Sequence, residues 1–182
     1  MSDRNSASAI IAATERLLVA RGAVGVSYRG VAAEAHVSVG MINYFFPGKE
    51  DLIFAALERF TDRSATQFAA YFAGVSAAPD TFAAAQEATT RMLIGSAQDI
   101  ATVALGTELY SLAVRRPRFF DLTREWSRTC RAVMEQFFDR DTTLMLDAYY
   151  EGMLLNIRLE QAAYTADVLG EAVRRITGRP GR

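Results

Sequence analysis

Side chains suited to binding nucleic acid lie close together between residues 38 and 49. The segment SVGMINYFF (38–46) contains no charged side chain, and a Pro-Gly pair ends it just before Lys49, the only lysine in the chain. Asn43 can bond an adenine edge or a phosphate, and the ammonium group of Lys49 can bind a phosphate. A face without charge suits a short helix that enters a DNA groove and reads base edges and methyl groups.

The elements that must position these groups have the spacing of a helix-turn-helix. Ser27 can cap a short helix at 28–35, and a second short helix is predicted at 38–45. The second helix need not be stable alone, because packing on its neighbours holds it. The residues predicted to form the contact between the two helices are Val31 and Ala35 on the first, and Ile42 and Phe45 on the second. The residues predicted on the outer face are Val39, Gly40, Met41, Asn43 and Tyr44.

The turn between the two helices contains His36, the only histidine in the chain. It stands where a positive φ is often required, a conformation usually met by glycine and tolerated by histidine better than by most residues. We therefore interpret His36 as a turn residue and not as a ligand. Cys130 is the only cysteine, so zinc sites and histidine-based triads lack the partners they need. No cofactor is predicted.

The residues SYRGVAAEAHVSVG (27–40) and YFFPGKEDL (44–52) resemble the DNA-binding domain of the TetR/AcrR family of transcriptional regulators. The resemblance covers residues 8–57 well, whereas the remainder agrees in length and helical character. It implies an all-α fold with a three-helix, helix-turn-helix DNA-binding domain at 1–48. A long helix would join this domain to a helical effector-binding and dimerisation domain at 49–182.

The resemblance also implies roles for single residues. Ser27 matches a capping residue that also contacts a phosphate, and Lys49 matches a phosphate-binding lysine at the start of the fourth helix. Tyr44 matches an aromatic residue that contacts the DNA backbone, and Gly40 a glycine that lets the helix approach DNA closely. The DNA-binding residues predicted in full are Ser27, Tyr28, Ser38, Val39, Gly40, Met41, Asn43, Tyr44 and Lys49.

Three positions of the second helix depart from the family's pattern. Val39 stands where Lys or Arg is common, Asn43 replaces the usual Tyr, and Phe45 replaces a His or Tyr. Fewer charged contacts predict a different operator or weaker binding. We interpret Phe45 and Phe46 as core aromatics.

Helical spacing dominates the rest of the chain, and no segment alternates like a strand. Pro117 can occupy the first turn of its helix, and Thr142 or Asp141 can cap the next. The predicted helices are 6–21, closed by Gly22, then 28–35, 38–45, 49–73, 80–96, 98–115, 117–139, 142–160 and 163–177.

The composition is that of an ordinary globular protein. The 182 residues are 51% hydrophobic and 23% charged, with a net charge of −1, and residues 1–49 are slightly basic. No signal peptide or membrane span is recognisable. A lone Cys130 suits a reducing compartment, so we expect a cytoplasmic protein without a membrane partner.

By resemblance, the C-terminal part binds a small effector and forms a homodimer. Independently, the segment LMLDAYYEGMLLNIRL (144–159) is apolar nearly all round, so one face can meet the protein's own core and the other a second subunit. Gly152 would permit close approach of two helices. The residues of the last helix predicted to complete this interface are Val168, Leu169, Val173 and Ile176.

The effector pocket is predicted between helices 80–96, 98–115, 117–139 and 142–160. Its candidate lining favours a mainly apolar ligand, although an acidic ligand would fit if Arg91 or Arg124 pointed inward. The candidate lining residues are Phe82, Met92, Tyr110, Trp126, Tyr149 and Asn156.

Arginines concentrate between residues 115 and 131. Acidic residues lie among them at helical spacing, which favours a solvated, salt-bridged face over a second nucleic-acid patch. The arginines are Arg115, Arg116, Arg118, Arg124, Arg128 and Arg131, and the acidic residues are Asp121, Glu125 and Glu135. Cys130 lies on an apolar stripe and is interpreted as a buried, inert thiol.

The resemblance, together with these patterns, implies a repressor that binds a palindromic double-stranded DNA operator as a dimer and is released by a small, mainly apolar effector. A helical interaction scaffold with a vestigial DNA-binding head is the alternative. An enzyme is disfavoured, because no nucleophile–base pair, metal cluster or phosphate loop is recognisable.

Overall fold

The computed structural model describes residues 3–178, which form nine α-helices and two short 3₁₀ helices without a β-strand. The predicted all-α fold is confirmed. No helix in this described part is both long and apolar enough to cross a membrane. The α-helices are α1 (Asp3–Gly25), α2 (Tyr28–Ala35), α3 (Val39–Phe45), α4 (Lys49–Tyr71), α5 (Thr81–Gln98), α6 (Ile100–Ala113), α7 (Pro117–Met134), α8 (Arg140–Asn156) and α9 (Ala166–Thr177), and the 3₁₀ helices are Val75–Ala77 and Gln161–Ala163.

Most helix ends fall close to the predicted positions, but two details were wrong. Helix α7 stops at Met134 instead of 139, because the chain tightens into a turn in which the Phe137 N–H donates to the Met134 carbonyl at 2.9 Å. Helix α8 is capped by Asp139, whose Oδ1 accepts from the Thr142 N–H at 2.8 Å, and not by Thr142 or Asp141. This hydrogen bond lowers the pKa of Asp139.

The described residues divide into two compact units. The first contains residues up to Arg63 together with Ala104–Arg124, and the second contains Ser64–Val103 together with residues from Glu125 onward. Helices α4, α6 and α7 therefore each contribute to both units. The functional division predicted from the sequence remains a prediction.

The core of the first unit holds the helix-turn-helix together. Ile10 of α1, Val31 of α2, Ile42 of α3 and Leu52 of α4 are each 0% exposed. Helix α1 bends at Gly22, whose φ of 64° ends the regular helix where the sequence predicted. The short helices α2 and α3 are thus stabilised by burial of one face each, which offsets their low intrinsic stability.

The turn after α2 has the left-handed backbone predicted for it. His36 has φ 55° and ψ 43°, and its N–H and that of Val37 close the helix end on the carbonyls of Ala33 and Ala32. This conformation costs an L-residue about 1–2 kcal/mol. Hydrogen bonds at the end of α2 and the packing of α2 against α3 hold the turn in this conformation.

We expect His36→Gly to raise the free energy of unfolding by about 0.5–1 kcal/mol, because glycine removes the left-handed penalty but gains freedom in the unfolded chain. Urea denaturation measures the change. His36→Ala is the control and is expected to be no more stable than the native protein. A glycine variant that unfolds at a lower urea concentration than the native protein would contradict this account of the turn.

The second unit has its own core, in which α5 packs against α8 and α9. The ring of Phe72 stacks on Phe68 at 5.5 Å and on Phe137 at 5.8 Å between centroids. Cys130 is buried, and burial raises the pKa of its thiol to about 12. A thiol with this pKa carries almost no thiolate near neutrality, which agrees with an inert, structural cysteine.

Candidate nucleic-acid interface

The outer face of α3 is exposed and free of charge. Ile42 faces the core, whereas Val39 and Met41 are each 37% exposed and Tyr44 is 77% exposed. Gly40 and Asn43 are also exposed. The structure therefore exposes all five residues predicted on this face. Their role in DNA binding remains a prediction.

Both short helices begin with a serine cap at the exposed surface. The Ser27 hydroxyl accepts from the Gly30 N–H at 3.2 Å, and the Ser38 hydroxyl accepts from the Met41 N–H at 3.1 Å. Each hydroxyl proton is left able to donate to a phosphate, because capping uses only the oxygen as acceptor. The caps thus place two hydroxyl donors at the starts of α2 and α3.

Tyr28 has a structural role that the sequence did not predict. Its hydroxyl donates to the Phe46 carbonyl at 2.7 Å, which ties the start of α2 to the end of α3. Partial burial, followed by the nearby carboxylate of Asp51, raises its pKa. The oxygen can still accept a hydrogen bond, but the phenolic proton is already used within the protein.

Phe45 and Phe46 are half-buried, so the core interpretation holds only in part. The two rings lie 6.4 Å apart between centroids, and the rings of Phe45 and Tyr44 pack edge-to-face at 5.0 Å between centroids. The exposed tyrosine is therefore in contact with an aromatic ring, which restricts its orientation.

Two basic side chains lie exposed in the segment that contains α2, α3 and the start of α4. The Lys49 ammonium group donates only a long hydrogen bond, 3.4 Å, to the Val24 carbonyl. Arg29, next to Tyr28 on α2, is exposed and forms no ion pair within residues 3–178. Arg29 was missed as a candidate DNA contact, although its basic charge beside the predicted Ser27 and Tyr28 was a usable signal.

All three carboxylates between residues 27 and 51 are neutralised by arginines. Each pair is at least partly exposed, so its contribution to stability is about 0–1 kcal/mol. The larger consequence is local charge, because Arg29 and Lys49 are left without a competing carboxylate. The pairs are Arg16–Glu34 at 2.6 Å, Arg116–Glu50 at 3.1 Å and Arg118–Asp51 at 2.6 Å.

The arginine-rich region is salt-bridged, but not always with the predicted partners. Arg118 reaches α4, where its guanidinium also lies 3.8 Å from the centroid of Phe54. Arg131 pairs with Asp147 at 3.0 Å and not with Glu135. The pairs that follow the predicted helical spacing are Arg124–Asp121 at 3.0 Å and Arg128–Glu125 at 2.8 Å.

The second unit contains a small cavity between the ends of α4, α5 and α6 and the middle of α8. The space open to the centre of a water molecule is about 20 Å³, enough for about one water. Burial raises the pKa of Tyr150 in its wall, and Tyr150 shares a hydrogen bond with Ser96. The principal polar and aromatic lining residues are Gln67, Phe68, Tyr71, Ser96, Asp99 and Tyr150.

Of the six residues predicted to line an effector pocket, this cavity includes only Met92. Phe82 instead packs edge-on against Phe138 at 5.9 Å, and the exposed Asn156 side chain donates to the Gly152 carbonyl of its own helix at 2.7 Å. The remaining three are placed as follows: Trp126 is buried, Tyr110 and Tyr149 are half-buried, and Tyr110 belongs to the first unit.

Helix α8 has two opposite apolar faces. Leu146, Tyr150 and Met153 are buried in the second unit, whereas Met145 and Leu155 are 51% and 55% exposed. The exposed face also contains Leu144 and Ala148, and the side of Gly152 where a β-carbon would point is open. Of the α9 residues predicted at a subunit interface, Leu169 and Val173 are buried within the unit, Val168 is exposed and Ile176 is half-buried.

Comparisons with known proteins agree with this geometry. The family described as bacterial regulatory proteins, tetR family, matches residues 10–56. A protein of Streptomyces coelicolor A3(2) described as a transcriptional regulator, SCO7518, is 34% identical over 95% of this chain and 98% of its own, with a TM-score of 0.83. A TetR-family member from Streptomyces coelicolor A3, SCO1917, is 29% identical over 97% and 99%, with a TM-score of 0.80. This chain belongs to the TetR family.

A further relative of this TetR-family protein is the multidrug binding protein EbrR. Its complex with ethidium is 30% identical over 94% of this chain and 98% of that chain, with a TM-score of 0.76. Its complex with proflavin is 29% identical, with coverages of 94% and 99% and a TM-score of 0.74. No curated protein sequence matches the chain. The TetR-family protein is thus a transcriptional regulator with a helix-turn-helix DNA-binding head.

Proposed function

We propose that this TetR-family regulator is a repressor that binds a palindromic operator as a homodimer and is released by a small effector. The observation that carries the proposal is the charge pattern of residues 27–51, which contain α2, α3 and the start of α4. Every carboxylate between residues 27 and 51 is paired with an arginine, while Arg29 and Lys49 remain exposed without a carboxylate partner. Such a surface suits contact with phosphates on both sides of a recognition helix.

In this proposal α3 enters the major groove. Tyr44 and Lys49 contact phosphates, and the hydroxyls of Ser27 and Ser38 donate to phosphates from the helix starts. Asn43 reads an adenine edge, while Val39 and Met41 contact thymine methyl groups. Gly40 allows close approach because it presents no side chain to the groove.

Dimerisation is supported by the exposed apolar face of α8. An isolated subunit would leave Met145, Leu155 and the open side of Gly152 in water, which disfavours the monomer by the apolar area left exposed. A two-fold dimer would place two α3 helices about 34–36 Å apart, the spacing of successive major grooves.

Release by an effector follows from population shift. A ligand that binds better when α4 has moved would shift the dimer away from the operator-binding arrangement. The ligand and the operator would then weaken each other's binding by the same factor. Relatedness to the multidrug binding protein EbrR supports a small-molecule effector for this chain. A regulator of this kind would act in the cytoplasm, where bacterial DNA is found.

We expect the purified protein to bind DNA from upstream of its own gene, and Lys49→Ala and Tyr44→Ala to bind it more weakly. Fluorescence anisotropy of labelled DNA at about 50 and about 200 mM salt measures both effects. Loss of the phosphate contact made by Lys49 is expected to reduce the slope of log affinity against log salt by about 1. Arg158→Ala is a matched control, because Arg158 is exposed in the second unit.

Absence of specific binding at low salt would contradict the proposal and favour a helical scaffold with a vestigial head. Equal loss of affinity in Arg158→Ala and Lys49→Ala would also contradict it, because the contact would then be a general effect of charge. An effector that binds free and operator-bound protein equally well would exclude release by population shift.

A further inference from the structure

The cavity at the ends of α4, α5 and α6 has a wall of one carboxylate and several aromatic rings. Asp99 is its only charged residue, and no Lys or Arg lines it. We propose that this cavity is the effector site and that the effector is an aromatic organic cation, recognised by the carboxylate of Asp99 and the rings around it. The inference rests on the proposed function, whose effector class it specifies.

The carboxylate of Asp99 retains the capacity to bind a cation. Its Oδ1 accepts from the Ala101 N–H at 2.9 Å and its Oδ2 from the Thr102 hydroxyl at 2.7 Å. Each oxygen has a second lone pair, so both are able to accept from a ligand as well. The two existing hydrogen bonds fix the carboxylate in position.

Asp99 lies at a junction of helices. Helices α4 and α5 end beside the cavity, at Tyr71 and Gln98, and α6 begins there, at Ile100. The Asp99 carboxylate accepts from the Ala101 N–H at the start of α6, where the positive end of the helix stabilises a negative charge.

The aromatic part of the wall supplies rings that a bound cation can contact. Phe68 and Tyr71 come from the last turn of α4 and Tyr150 from α8. A cation within about 6 Å of such a ring is attracted by about 0.5–2 kcal/mol, a magnitude that corresponds to a factor of about two to thirty in affinity. A neutral aromatic ligand would gain ring contact but not the attraction to Asp99.

Tyr71 is the residue of the cavity wall that must move to admit a ligand. The cavity holds about one water, so a tricyclic ligand requires displacement of a side chain. Tyr71 is half-buried at the last position of α4, and its hydroxyl lies directly against Gly95, where a β-carbon would overlap it. Its rotation would link occupancy of the site to the end of the helix whose other end carries Lys49.

The two arginines that would favour an acidic ligand form ion pairs outside this cavity. Arg91 pairs with Glu87 at 3.8 Å, and Arg124 pairs with Asp121 at 3.0 Å, each with both side chains more than half exposed. Neither arginine lines this cavity, so the acidic ligand considered from the sequence is disfavoured. Ethidium and proflavin, the ligands in two EbrR complexes, are planar aromatic cations.

Binding of proflavin to the protein without DNA tests the assignment. Fluorescence titration of the full chain is compared with acridone, a neutral tricyclic analogue. We expect Asp99→Asn to weaken proflavin binding about tenfold or more and to leave acridone binding unchanged. Asp80→Asn is the matched control, because Asp80 also accepts from a backbone N–H at the start of a helix, that of Ala83 at 2.9 Å, and does not line the cavity.

Three results would overturn the inference: no proflavin binding by the native protein, equal affinity for proflavin and acridone, or equal weakening in Asp99→Asn and Asp80→Asn. Operator binding is measured separately on the same proteins and is expected to be unchanged in Asp99→Asn. If the native protein binds operator but not proflavin, the effector class fails and the proposed function stands. If it binds proflavin but no operator, the proposed function fails.

Discussion

Leu155→Asp is expected to convert the protein into a monomer and to weaken operator binding by at least about a hundredfold. Leu155 is 55% exposed on the apolar face of α8, close to the open side of Gly152. In a dimer an aspartate there would be buried without a partner, at a cost of several kcal/mol. A dimer gains affinity because its two DNA-binding domains are linked, typically by a factor of about 10²–10⁴. A monomer loses this gain.

Sedimentation equilibrium and operator anisotropy measure the two consequences in the same samples. Val114→Asp is the matched control, because Val114 is 81% exposed and lies outside α8. It receives the same change of charge and is expected to remain dimeric. A Leu155→Asp protein that sediments as a dimer, or a monomer that binds operator with native affinity, would contradict the role given to this face.

Gly95→Ala is expected to lower the free energy of unfolding by about 1–3 kcal/mol, the usual cost of overpacking. A β-carbon at this position would overlap the hydroxyl of Tyr71, so the tyrosine must leave its place in the cavity wall. Alanine is favoured over glycine in a helix by about 0.5–1 kcal/mol, and the expected loss is what remains after this gain.

A double-mutant cycle with Tyr71→Phe isolates the contact. Without the hydroxyl, the nearest ring carbon still lies 3.0 Å from the β-carbon position, so we expect Gly95→Ala to cost less, but not nothing, in the Tyr71→Phe background. Gly106→Ala is the control, because a β-carbon there meets no atom within 4 Å, and it is expected to stabilise by about 0.5–1 kcal/mol. Urea midpoints that rank Gly95→Ala and Gly106→Ala together would refute the steric account.

The sequence predicted the helix-turn-helix closely because its signals are local. Ser27 caps α2 by a contact three residues away, and the left-handed His36 ends the same helix. Helical spacing predicted that Ile42 faces inward and that its neighbours in α3 face outward, as the structure has them. These features depend on short-range geometry that a single sequence contains.

The arginine pairs at the head could not be predicted in the same way. Arg116 and Arg118 form ion pairs with Glu50 and Asp51, which are distant in the sequence. Helical spacing predicts only pairs between residues three or four positions apart. Tertiary packing alone brings these side chains together. The neutral surroundings of Lys49 are therefore a property of the fold.

The lining of the cavity around Asp99 was not evident from the sequence, because helical periodicity does not distinguish lining from core. Large apolar residues such as Trp126 were chosen, yet the cavity wall is partly polar and contains Asp99, which lies at the junction of two helices. Leu169 was assigned to the subunit interface but is buried in its own unit. The direction in which a side chain points depends on tertiary packing, which helical spacing alone does not give.

Hydroxyl-radical footprinting of the upstream DNA is the most direct test of the central claim, that two copies of α3 read a two-fold operator. We expect two protected half-sites related by two-fold symmetry, with centres about 10 base pairs apart, and loss of both footprints when Tyr44→Ala is combined with Lys49→Ala. Protection that is absent at low salt, or that persists in the double variant, would contradict it.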